Sequence, residues 1–229
     1  AYNRSAFSFL RRSNCYNNFH QKQMLTSFDL TNEFCDFPFD VLLLYYIYDF
    51  NFWRSKVKHG KNFTLGEYVI IKKPDLVEAG DNVRISDFCR ISSACEIGSD
   101  CEIATGTYIS GGNGEYKFKM GSFSSLAAGV RIWLSSNDYV NELVTHSVPE
   151  VKEIQGNVTM EKFTGIGTNS VIMPNNHIPE GVSIGALSFV PSNYKFEPWT
   201  VYAGRPIKPI KKRNKENILK TLKKLGLTA

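Results

Sequence analysis

Asn137, Asp138, Asn141, Glu142 and His146 fall within ten residues of one another, and they are the side chains best suited to moving a proton. Carboxylates and imidazoles are the usual proton acceptors near neutral pH. Asp138 and His146 are the two candidates, and Asp138 is also a natural turn former beside Asn137. Trp133 and Tyr139 flank the same stretch and could face a flat ring, although packing the stretch down is equally open to them. Metal chemistry has weaker footing. The four histidines, His20, His59, His146 and His177, are dispersed, with only two in the repeat described below, and a zinc hydrase needs three. Cys89, Cys95 and Cys101 stand six residues apart, whereas a zinc cluster wants a tighter C-x-x-C pair. No metal is expected.

The elements that must position these groups follow from a period of six. Aliphatic residues recur at Ala79, Ile85, Ile91, Ile97, Ile103 and Ile109, resume at Met120, Leu126 and Ile132, and run again from Met160 through Ile166, Ile172, Ile178 and Ile184 to Val190. Four positions after most rungs sits a small or β-branched companion: Val83, Cys89, Cys95, Cys101 and Thr107, then Thr164, Ser170, Asn176, Val182 and Ser188. Period six fits neither a helix nor a plain strand carried so far. It fits a solenoid in which each unit is a short strand and a turn, and three units close one triangular coil. Rungs point into the coil, and companions fill its corners. The three cysteines are then buried, reduced and structural.

The ladder breaks twice, over Gly111–Gly114 and over a protruding loop at 133–156, and loops bulging from a rigid scaffold are where sites gather. Residues 1–60 lack the phase and hold 15 of the 30 aromatics, which reads as a small N-terminal subdomain packed on the first coil. The repeat occupies 61–207. A basic tail, 208–229, ends in a short amphipathic helix with Ile218, Leu219, Leu222 and Leu225 on one face and Gly226 as its stop. A net charge of +5 is too mild and dispersed for a nucleic-acid partner but suits a phosphate-bearing ligand. The longest apolar run, Val41 to Tyr48, has eight residues where a bilayer span needs about 20. Without a recognisable secretory signal, and with an odd five cysteines, a reducing cytoplasm is expected.

The residues then point to a family. Ile166-Gly167, Ile184-Gly185-Ala186-Leu187-Ser188 and the ending Tyr202-Ala203-Gly204-Arg205-Pro206-Ile207-Lys208-Pro209-Ile210-Lys211-Lys212-Arg213 resemble the close of hexapeptide-repeat acyltransferases. Gly80 to Cys89, Ser136-Asn137-Asp138-Tyr139 and Val148-Pro149 look like the branch that N-acetylates nucleotide-linked amino sugars, such as dTDP-4-amino-4,6-dideoxyglucose, for surface glycans including lipopolysaccharide. The resemblance covers roughly 62–213. It implies a left-handed parallel β-helix, a homotrimer, and acetyl-CoA as cosubstrate in the cleft between subunits. It also implies that Gly167, Gly185, Ala186, Lys208 and Arg213 serve the CoA.

Sugar O-acetyltransferases of the superfamily carry a His after the Asn of the protruding loop, where this chain has Asp138. A hydroxyl nearly always needs a base, whereas a sugar amine is partly neutral already and needs positioning and a modest proton acceptor. The departure favours N-acylation, with Asp138 orienting the amine or taking its proton and Asn137 shaping the loop. An O-acetyltransferase using His146 is the alternative. A non-catalytic solenoid such as an ice-binding protein would present outward threonine arrays, which are missing.

Overall fold

The computed structural model describes residues 56–145 and 150–227. All lie in the second of two units into which the chain divides, Asp49–Ala229. His146, Val148, Pro149 and nearly all of the aromatic-rich segment 1–60 lie outside the described residues.

The six-residue phase becomes three flat faces. The first holds six parallel strands, from Lys58–His59 and Val77–Ala79 to Asn176–Ile178. The second begins at Thr64–Leu65 and runs in parallel to Thr200–Ala203, where Lys208–Lys212 joins as an antiparallel edge. The third runs from Ile70–Ile71 to Phe189–Val190. One strand from each face makes a coil, and six coils stack with Thr200–Ala203 opening a seventh. Residues of one coil pair in register with those of the next, as Leu65, Ile85, Ile103, Leu126, Ile166, Ile184 and Tyr202 do along the second face.

Every rung read from the sequence is buried, with Ile85, Ile103, Ile109, Leu126, Ile132, Ile172, Ile178 and Val190 all at 0% exposure. The companions are buried too, and they turn the corners. A step of six residues moves one side round the triangle, so Cys89, Cys95 and Cys101 occupy three different corners and cannot pair with one another. They are free thiols, and burial pushes each above its ordinary pKa.

The residue before each companion at the first and second corners takes a left-handed conformation. Glycine and Asn adopt this readily and bulky residues do not. The column at the first corner starts as a polar ladder, in which Asn62 donates to Asn82 and Asn82 to Asp100. It continues as aromatic rings, Phe123 on Phe163 at 5.5 Å and Phe163 near Trp199 at 6.0 Å. Gly181 separates the last two, and a Cβ there would meet the Trp199 ring at 2.3 Å.

Lys58–His59 is the first strand of the solenoid among the described residues, and it pairs with Glu78–Ala79. The basic tail is partly sheet: Lys208–Lys212 folds back on Thr200–Ala203 before helix α1, Lys215–Lys224. Asn214 caps α1 by accepting from the Asn217 N–H, and Gly226, at φ +68°, ends it. Helix α1 buries none of its residues. No helix among the described residues is long and apolar enough to cross a bilayer.

Candidate functional site

Both interruptions leave the solenoid at the third corner, between the third face and the next coil's first face. The longer one closes into an antiparallel hairpin whose arms are Ser135–Asn137 and Glu153–Gln155. Its base is tied by the Gly156 N–H donating to the Leu134 carbonyl at 3.0 Å. The arms place Asn137 opposite Glu153 and Ser135 opposite Gln155.

Under the hairpin lies a cavity of about 280 Å³ walled by Ser110, Gly111, Trp133, Ser135, Ser136, Asn137, Glu153 and Met173. Its floor is rigid, because Ser110, Trp133 and Met173 stand on or beside third-face strands of three successive coils. Its roof is the hairpin. Of the eight described residues on the wall seven carry no charge, and Glu153 brings a carboxylate to the space. Glu153 is half-buried, and its Oε2 accepts from the Gln155 side chain at 3.0 Å. The wall offers several hydroxyls and one amide around one carboxylate, a set that can orient a polar or cationic group and accept a proton.

The structure thus brings Trp133 and Asn137 together and adds Glu153, Ser135 and Met173, which sequence spacing does not single out. Asp138 sits at the entry to the tip, part-exposed. Its Oδ1 accepts from the backbone N–H groups of Val140 and Asn141, at 3.1 and 3.2 Å, and its Oδ2 from the Asn141 amide at 2.8 Å. The Asn141 amide, assisted by those N–H groups, holds the Asp138 carboxyl below the usual carboxylate range. Asp138 thus accepts from three donors of its own turn. Tyr139, 68% exposed, projects from the tip and does not wall the cavity.

The second corner carries a different set. Along it the residue after each rung is small: Gly66, Ser86, Ala104, Ala127, Gly167, Gly185 and Ala203. Stacking demands this, since a Cβ on Gly167 would meet the Ala186 nitrogen at 2.4 Å. The same smoothness lets an extended ligand chain approach the backbone. Beside this edge a cavity of about 380 Å³ is walled by Asn169, Val171, Ser188, Phe189, Arg205 and Pro206. Arg205 is anchored there by its Nε donating to the Leu187 carbonyl at 2.8 Å.

Lys208 pairs with Ala203 at this corner, so it joins Gly167, Gly185 and Ala186. Arg213 lies past the other end of the same strand, at the first corner. Its Nη1 donates to the carbonyls of Phe163 and Gly181, at 2.6 and 2.8 Å, and its guanidinium lies 5.9 Å from the Trp199 ring. It locks the last coil and stands apart from the other four. Arg205 is the cation at the second corner that spacing alone does not mark. His177 projects from the first face, 3.0 Å from Glu161, and His59 stacks on Phe63. Among the described residues no cluster of three or more His, Cys, Asp or Glu could hold a metal ion.

No family model matches the chain. Among curated proteins it is similar to dTDP-4-amino-4,6-dideoxy-D-glucose acyltransferase of Escherichia coli, 36% identical over 107 residues. That match takes in 45% of this chain and 54% of the relative. Chloramphenicol acetyltransferase of Agrobacterium fabrum is 25% identical over 120 residues, 46% of this chain and 56% of the relative. The chain thus spans about half the length of the curated relatives it matches. Among solved structures, a mutant of AntD, an N-acyltransferase from Bacillus cereus, in complex with dTDP-4-amino-4,6-dideoxyglucose and coenzyme A, superposes with a TM-score of 0.70 at 30% identity. The match covers 78% of this chain and 95% of AntD. A further AntD structure, holding dTDP and 3-hydroxybutyryl-CoA, matches with the same TM-score of 0.70 and identity of 30%.

Proposed function

The chain belongs to the hexapeptide-repeat acyltransferases, with the left-handed parallel β-helix of that family, and from this we propose that it is an acetyl-CoA-dependent N-acetyltransferase. Its acceptor is the amino group of a nucleotide-linked amino-deoxy sugar such as dTDP-4-amino-4,6-dideoxyglucose. The observation that carries the reading is the cavity beneath the hairpin, where hydroxyls and an amide surround a single carboxylate. A protonated amino sugar is attracted there, and the site can take the proton it must shed. AntD, whose crystals contain that amino sugar and CoA, supports the choice of acceptor and acyl carrier.

Acyl transfer itself asks little of the protein beyond alignment of nitrogen and thioester carbonyl. Trp133 and Asn137 position the sugar ring, the Asp138 turn fixes the hairpin tip above it, and Tyr139 at that tip meets the nucleotide portion. The second corner fits the acyl carrier: Gly167, Gly185 and Ala186 let the pantetheine arm lie along the backbone, and Arg205 with Lys208 receives phosphates. Arg213 supports the last coil.

The two cavities sit on different edges of the solenoid, which favours a homotrimer in which the carrier edge of one copy meets the hairpin of the next. Light scattering then gives three times 25.9 kDa. A cytoplasmic location suits both acyl-CoA supply and three buried free thiols. The product would feed surface-glycan assembly, lipopolysaccharide included. The direct test follows free thiol release from acetyl-CoA with the amino sugar beside its 4-hydroxy counterpart. Release with the amine alone is expected. Release with the hydroxyl sugar alone would replace this reading by O-acetylation.

A further inference from the structure

On the reading just given, one role is still without an assigned residue: the group that receives the proton from the acceptor nitrogen. The loop holds two carboxylates near Asn137, and their surroundings differ. Asp138 accepts from three donors of its own turn, at 2.8 to 3.2 Å, and it lies off the cavity wall. Glu153 is on the wall, directly across the hairpin from Asn137, on a strand whose register is fixed by two neighbouring pairs. Among the described residues of that wall it is the carboxylate. A group carried on paired strands is held more firmly than one at a loop tip. Gln155 Nε2 donates to its Oε2 and helps to orient the carboxylate.

We propose that Glu153 is the proton acceptor of the acyl transfer. The acceptor amine, neutral and seated beside Asn137, attacks the thioester carbonyl carbon, and a carbon–nitrogen bond forms. The tetrahedral adduct collapses, the carbon–sulfur bond breaks, and the thiolate of the carrier leaves with the bonding pair. The proton lost by the nitrogen moves to the Glu153 carboxylate and then to the departing sulfur. Glu153 ends ionised, the products are the amide and the free thiol, and no further reactant is needed. An ammonium form of the sugar drawn to this carboxylate first gives one proton to bulk water, so that Glu153 is ionised again when the neutral amine attacks.

The test uses the full chain, acetyl-CoA, and dTDP-4-amino-4,6-dideoxyglucose, with thiol release as readout. Glu153→Gln keeps size and hydrogen-bonding shape and removes the basic oxygen. It is expected to lower kcat by about 100-fold or more while KM for acetyl-CoA changes little. Glu153→Ala is expected to regain turnover as formate is added, because a small carboxylate can occupy the vacated position, and a purely structural residue would show no such rescue. Asp138→Asn is expected to stay within about tenfold of the parent. Near-parent kcat in Glu153→Gln, or a formate response confined to Asp138→Ala, would overturn the assignment. The parent enzyme's choice between amine and hydroxyl acceptor tests the functional reading separately. The variant ratios are measured on whichever acceptor it turns over, so the two can fail independently.

Discussion

Cys101 shows how one buried side chain makes stability depend on pH. It fills the first corner in a column with Val83, Ser124, Thr164, Val182 and Thr200, all buried. Burial pushes its thiol from 9.0 up to about 11. A thiol is neutral when protonated, so above pH 9 the unfolded chain ionises at this position while the folded chain does not. The stabilisation is complete below that pH and is lost as pH rises from 9 to about 11. Cys95, raised further still, acts with the same sign. The Cys101→Val variant, which puts at this corner a residue it already accepts at Val83 and Val182, should show a shallower alkaline decline. Urea unfolding midpoints at pH 8, 9, 10 and 11, compared with those of the parent, measure it. In the native protein Cys89, Cys95 and Cys101 should resist a soluble disulfide reagent until the solenoid unfolds.

The hairpin shows what an element adds to a scaffold that does not need it. Its arms bond to each other, and Leu134 and Gly156 meet at its base. Replacing 135–155 by two glycines should leave the parallel coils intact. The melting temperature should move by less than about 4 °C, roughly 1 kcal/mol in a chain this size. Thiol release should vanish, since the cavity loses its roof and Glu153 together. Circular dichroism melting and the acyl-transfer assay, run on the same sample, check both halves. The hairpin also marks where sequence reading stops. Rungs and corners are legible because burial repeats every six residues, and the rungs keep that phase within each run, Ala79 to Ile109, Met120 to Ile132 and Met160 to Val190. The Asn137 and Glu153 pairing obeys no phase, because it depends on how a long tip closes. Asp138 reads from its sequence neighbours as chemistry or as a turn, and the three donors around it become visible only once the tip is folded. Arg205 and Arg213 both stand in the basic ending, and only the direction of Lys208–Lys212 sends them to different corners.

Across the described solenoid, stability is a sum along one axis, since each coil touches only the coils beside it. A rung in the middle has neighbours above and below, and Ile103 is fully enclosed by Ile85 and Leu126. Ile103→Ala should cost about 2–5 kcal/mol in chemical denaturation. Ile71, in the first coil and 6% exposed, should cost less when changed in the same way. Equal losses would mean that the first coil is as enclosed as the third.

The spacing of the coils also has a mechanical meaning. Pulled from its C-terminal end, the solenoid should peel one coil at a time, each step freeing the chain between paired residues. From Ile184 to Ile166, and from Ile103 to Ile85, that is 18 residues. From Ile166 to Leu126 it is 40, because the hairpin lies between. At about 3.5 Å per residue these are contour lengths of roughly 60 and 140 Å. A force trace would then be a row of short teeth with one long one, and the position of the long tooth would report how far the tear had run when it reached the hairpin.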